Sequence, residues 1–109
     1  MKDKNQTIDF RSDTVTLPSP KMKNAIFKAT VGDDVFGEDP SINELESYTS
    51  KLFKKDAGLF VPSGTQSNLI AIITHCERGD EFIVGQQAHN YKYEGGGAAI
   101  FGGIQPQPI

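Results

Sequence analysis

The stretch Pro62-Ser63-Gly64-Thr65-Gln66-Ser67-Asn68 stands between two apolar runs, Ala57 to Val61 before it and Leu69-Ile70-Ala71-Ile72-Ile73 after it. A strand followed by a tight loop and a helix would place Ser63, Gly64 and Thr65 at a helix N-terminus. The first N–H groups of a helix have no partner within it, and the aligned peptide dipoles leave roughly half a positive charge there. Gly64 would let a ligand approach the backbone closely, and the Ser63 and Thr65 hydroxyls would add donors. A phosphate or carboxylate suits such a seat. An ordinary serine N-cap with a turn glycine explains the same residues, so both readings stay open. No lysine follows as in a Walker A loop and no G-x-G-x-x-G is present, which favours a small phosphate ligand over a nucleotide.

His89 is the second candidate. It comes shortly after the C-terminal end of an expected strand around Phe82 to Val84, and ligands of open α/β sheets bind in the crevice there. An imidazole can carry a proton at neutral pH or stack on a planar ring, and it can equally be a hydrogen-bonded loop residue. His75 falls near the end of the helix and reads better as a partner for terminal carbonyls. Arg11-Ser12-Asp13-Thr14 is a polar quartet that is either a solvated arm or an arm reaching into a site. The acidic loop Gly32 to Pro40 lacks the alternating ligand spacing of a calcium site and reads as a structural or interface loop. Cys76 beside Glu77 has no metal-ligand neighbours, so no metal site is expected.

The elements that must position these groups follow from capping and periodicity. Ser19-Pro20 opens a helix in which Met22, Ala25, Ile26 and Ala29 share a face. Ser41 and Glu44 form a candidate capping box for a second helix with Ile42, Leu45, Tyr48, Leu52 and Phe53 on its core side. Ala57 to Val61 reads as a strand buried on both faces, the 64–75 region as a helix buried all round and closed by Gly79, and residues 82–84 as a parallel second strand. Gln-Pro-Gln-Pro reads as a tail. The result is an α/β fold with an incomplete, mainly parallel sheet, residues 1–20 forming an N-terminal arm and residues 21–109 part of a larger domain. Unpaired strands predict weak stability or aggregation for the segment in isolation.

Composition narrows the function. The 109 residues hold 11 Lys+Arg against 14 Asp+Glu, a net charge of −3, which gives no basic excess for nucleic acid. The longest apolar run is far short of a membrane span, and the N-terminus is polar rather than signal-like. One cysteine fits a reducing cytoplasm.

Five stretches in order resemble one family: Asp9-Phe10-Arg11-Ser12-Asp13-Thr14-Val15-Thr16, Val31 to Pro40, Pro62 to Asn68, His75-Cys76-Glu77-Arg78-Gly79-Asp80 and Gln87-Ala88-His89-Asn90-Tyr91. The likeness is to the low-specificity L-threonine aldolases, pyridoxal-phosphate enzymes of the aspartate-aminotransferase-like fold (fold type I), and it runs from about Ile8 to Ile109. The resemblance implies that the chain is the N-terminal part of the large, cofactor-binding domain. It implies that Ser63, Gly64 and Thr65 hold the cofactor phosphate, that His89 stacks over the pyridine ring near the substrate's β-hydroxyl, and that Ser12 faces the substrate. It further implies a homodimer or homotetramer with shared active sites, the Gly32 to Pro40 loop lying near the subunit interface. Where relatives often carry Tyr in that loop this sequence has Phe36, without the hydroxyl.

The implied reaction splits threonine or allo-threonine into glycine and acetaldehyde, with the cofactor ring taking up the electrons released as Cα–Cβ breaks. The family's anchoring lysine, the aspartate on the pyridine nitrogen and the carboxylate-binding arginines match no residue of this sequence, so the segment alone is expected to be inactive. A related β-eliminating lyase, or a non-catalytic fragment docking on a full-length relative, are the alternatives.

Overall fold

The computed structural model describes residues 8–109. The chain divides after Gly58 into two compact units; of the expected arm, residues 1–7 lie outside the described residues and residues 8–20 belong to the first unit.

In the first unit Ser12 caps a short 3-10 turn, Asp13–Val15, its Oγ accepting from the Thr14 N–H at 3.2 Å. Helix α1, Pro20–Lys28, begins as expected: Ser19 Oγ accepts from the Met22 N–H and Pro20 opens the first turn. Helix α2, Pro40–Phe53, begins differently from the expected capping box. Its cap is Asp39, whose Oδ1 accepts from the Ser41 and Ile42 N–H groups at 2.9 and 3.0 Å. Pro40 supplies a first position with no N–H to satisfy. Ser41 therefore lies already inside the helix, and its hydroxyl donates to the Thr30 carbonyl at 3.4 Å.

Asp39 does more than cap. Its Oδ2 accepts from the Gly32 N–H at 3.0 Å, which ties the far end of the acidic loop to the start of α2. Asp39 is buried, with 8% of its surface exposed. The backbone donors of Ile42, Gly32 and Ser41 stabilise its ionised form and hold its carboxyl below the ordinary value of 3.8. Because the folded-state pKa is depressed, the stabilisation is complete above the ordinary carboxylate range and is lost as pH falls through the folded value. The Asp39→Asn variant can still cap but carries no charge. Its unfolding midpoint should accordingly fall less on acidification than that of the native protein, as thermal melts over a pH series would read.

In the second unit helix α3, Gly64–His75, leads through a turn to strand β1, Glu81–Val84; the short helix α4, His89–Lys92, a π-helical turn at Ala98–Gly102 and strand β2, Gln105–Pro108, follow. The two strands pair in parallel, Glu81 opposite Gln105 and Val84 opposite Pro108. Three expectations are corrected here. Residues 57–61 form no strand, and the parallel pair is β1 with the segment read as a tail. Helix α3 ends at His75 with an extended Cys76 cap; Gly79, at φ 94°, belongs to the following turn. No residue of α3 is fully buried, and Ile73 is 46% exposed, because among the described residues α4 and the π-helical turn pack on α3 from one side.

The prolines of β2 obey the geometry of a parallel ladder. Gln105 N–H donates to Asp80 O at 2.8 Å and Ile109 N–H to Val84 O at 2.9 Å, so the alternate positions, Pro106 and Pro108, face away from β1, where a missing donor breaks no bond of this pair. The buried apolar residues are Val84, Ala98 and Ile104. They collect where the two strands meet the π-helical turn.

Candidate functional site

Ser63 Oγ accepts from the Gln66 N–H at 3.2 Å and Ser63 O from the Ser67 N–H at 3.1 Å. These bonds fix the start of α3 and leave the N–H groups of Gly64 and Thr65 without a partner among the described residues. The Thr65 hydroxyl likewise makes no hydrogen bond there. A Cβ placed on Gly64 would meet nothing within 4 Å, so the space beside its Cα is open. Ser63 Oγ caps the helix as an acceptor, and its own O–H remains a donor with no partner among the described residues. Ser63, Gly64 and Thr65 thus all carry free donors.

His89 begins α4, and its side chain is 68% exposed. Its Nδ1 lies 2.7 Å from Glu94 Oε1, while Nε2 has no partner among the described residues. Tyr93 flanks the ring at a centroid separation of 5.5 Å and a tilt of 46°. Glu94 was not singled out in the sequence. It comes five residues after His89, a spacing that no helical face repeats, and it reaches back from beyond the end of α4. Its side chain is only 5% exposed, and the same Oε1 accepts from Asn68 Nδ2 of α3 at 2.7 Å. Asn68, Glu94 and His89 thus join α3 to α4. Beside them is a pocket of about 70 Å³ lined by Thr65, Leu69 and Ile72 of α3 with Asn90, Glu94 and Phe101 opposite.

Ser12 belongs to the first unit. It is exposed, and its Oγ accepts from the Thr14 N–H and the Thr14 hydroxyl, the latter at 3.0 Å. Arg11 beside it is engaged locally: its Nε donates to both carboxylate oxygens of Asp9 at 2.9 and 3.0 Å. That pairing holds the Asp9 carboxyl below its usual range and raises Arg11 further. No helix of the described residues is long and apolar enough to cross a membrane.

Free backbone donors at a helix N-terminus take an anion, and the exposed imidazole of His89, on the next helix of the same unit, offers an aromatic face and a ring nitrogen. Open space beside Gly64, two unpaired N–H groups and two unpaired hydroxyls fit the phosphate of pyridoxal phosphate, and the exposed His89 ring fits a flat pyridine.

Comparison with known proteins identifies relatives along nearly the whole chain. A protein named low specificity L-threonine aldolase from Escherichia coli is 60% identical over 102 residues, covering 94% of this chain and 31% of the relative. A probable low-specificity L-threonine aldolase 2 from Arabidopsis thaliana is 46% identical over 105 residues, 95% of this chain and 30% of the relative. A protein named alanine racemase TOXG from Cochliobolus carbonum is 36% identical over 104 residues, 93% of this chain and 26% of that protein. The chain spans about a third of the length of the curated aldolase relatives it matches. The beta-eliminating lyase family model matches residues 9–109, so that the motifs of the arm, the acidic loop, the α3 start and the His89 segment all fall within it: the chain belongs to the beta-eliminating lyase family.

Proposed function

We propose that this segment is the phosphate- and ring-binding part of a pyridoxal-phosphate-dependent threonine aldolase, cleaving L-threonine or L-allo-threonine to glycine and acetaldehyde. The observation that carries the reading is the open start of α3, where the Gly64 and Thr65 N–H groups and the Ser63 and Thr65 hydroxyls are free together. The names of the E. coli and Arabidopsis relatives support it. The finer fold assignment, the N-terminal part of the large domain of an aspartate-aminotransferase-like enzyme, belongs to the same proposal, as do a cytoplasmic location and a homo-oligomer with shared sites. The free thiol of Cys76 suits the first, and the exposed Ile26, Phe27 and Val35 of α1 and the acidic loop suit the second.

When bound, pyridoxal phosphate supplies an electron sink for the carbanion left by Cα–Cβ cleavage. The chain's own work is binding and proton handling. Ser63, Gly64 and Thr65 hold the phosphate against the positive end of α3. His89 covers the ring and offers Nε2 to the substrate's β-hydroxyl proton, while Ser12 faces the substrate from the arm. A relative named alanine racemase is 36% identical across this segment, so we place the choice of reaction in residues outside it.

The full-length protein mixed with pyridoxal phosphate should develop the visible absorbance of lysine-bound cofactor, and residues 1–109 alone should not. Thr65→Val removes one donor to a charged group and should raise the cofactor Kd about tenfold to a hundredfold in an absorbance titration. An unchanged Kd would remove the phosphate role from Thr65.

A further inference from the structure

We infer that Glu94 is a positioning residue for His89: it holds the imidazole in the tautomer protonated at Nδ1 and so leaves the Nε2 lone pair facing outward. The inference rests on the proposed role of His89, and it goes beyond that role by assigning what fixes the ring's proton and orientation.

Glu94 is a carboxylate with a side chain 5% exposed, and burying such a group without donors would be costly. Two donors meet it. Asn68 Nδ2 and His89 Nδ1 both lie 2.7 Å from Oε1, matching the two lone pairs of that oxygen. An ionised carboxylate can only accept, so the proton of this contact sits on Nδ1. The other ring nitrogen of a neutral imidazole is then an acceptor. An unrestrained neutral histidine carries its proton mainly on Nε2, so Glu94 reverses the intrinsic preference of the ring.

The direction matters chemically. Cleavage of a β-hydroxy-α-amino acid removes the hydroxyl proton as the aldehyde forms, and a ring nitrogen can take that proton only with its lone pair free. With the opposite tautomer, His89 would present an N–H to the hydroxyl and could not accept. Asn68 has a second part in the arrangement: it is bonded to Glu94 from α3, so the helix that carries Thr65 also anchors the carboxylate that orients His89. The phosphate seat and the proton acceptor are thereby built on one hydrogen-bonded support.

The test is nitrogen NMR of the full-length protein labelled with [15N]histidine, without cofactor and at mildly alkaline pH, with His89→Gln identifying the His89 signals. The expected spectrum has a protonated Nδ1 and an unprotonated Nε2. Glu94→Leu should convert the ring to the Nε2–H form. Asn68→Ala, which removes the neighbouring bond and leaves the acceptor, should keep the native form and so separates loss of the acceptor from loosened packing. A native protein found as the Nε2–H tautomer overturns the inference whether or not Glu94→Leu folds, and retention of Nδ1–H in Glu94→Leu overturns it too. Since no cofactor is present, failure to bind pyridoxal phosphate would defeat the functional reading without altering this result, and the wrong tautomer would defeat the inference without altering cofactor binding.

Discussion

Replacing His89 with alanine in the full-length protein is expected to lower kcat by at least about two orders of magnitude, the size of a lost proton acceptor. Cofactor affinity should fall by no more than about tenfold, the contribution of one aromatic stack. The asymmetry follows from which groups hold what. The proposed phosphate seat consists of the Gly64 and Thr65 N–H groups and the Ser63 and Thr65 hydroxyls, and the cap bond that fixes it does not involve His89. The imidazole itself is 68% exposed, so its removal leaves no cavity in the core. Its hydrogen-bond partner Glu94 keeps the Asn68 donor when His89 is gone. Steady-state kinetics at saturating cofactor, paired with an absorbance titration, reads both quantities. A variant that turns over at the native rate once loaded, but loads poorly, would make His89 a cofactor clamp and nothing more.

How much of this was legible in the sequence depended on whether the relevant physics was local. Ser19-Pro20 opened α1 as read, since a cap and a proline at the first position need only their own neighbours. The same rule applied to Asp39-Pro40 yields the observed start of α2; the competing Ser41/Glu44 pattern drew attention two residues too far along. Residues 57–61 show the opposite case. An apolar run becomes a strand only when another backbone offers its N–H and C=O groups, and no described strand pairs with it. In Gln-Pro-Gln-Pro the prolines hid a strand because their effect depends on which edge they face, and that is decided by the register with Glu81 to Val84. The start of α3 was readable as a possible anion seat from Ser63, Gly64 and Thr65 alone. Glu94 was not, because its five-residue separation from His89 matches no repeat, and its role is visible only once α3 and α4 are packed.

The acidic loop yields the second large effect, and it separates two glycines that look alike in the sequence. A Cβ on Gly32 would overlap the Glu38 carbonyl oxygen and approach Glu38 C and Asp39 N at 2.5 and 2.9 Å. These are backbone atoms, so no rotamer change relieves them. They are also tied down: Glu38 N–H donates to Asp33 O at 2.9 Å, and Asn43 Nδ2 donates to Gly37 O at 2.8 Å. Gly32→Ala must therefore open the loop and break the Gly32 bond to Asp39, at a cost of about 3 kcal/mol or more. Gly37 is the reverse, with φ +67° and nothing within 4 Å of an added Cβ. Gly37→Ala meets only the left-handed backbone penalty of about 1–2 kcal/mol. Limited proteolysis within residues 32–39 of the full-length protein, run where opening is fast relative to cleavage, tracks the open population. It should accelerate about a hundredfold for Gly32→Ala and about tenfold for Gly37→Ala. Were Gly37→Ala the more readily cut, the close packing of the chain over Gly32 would be wrong, and with it the role of Asp39 as the clasp between this loop and α2.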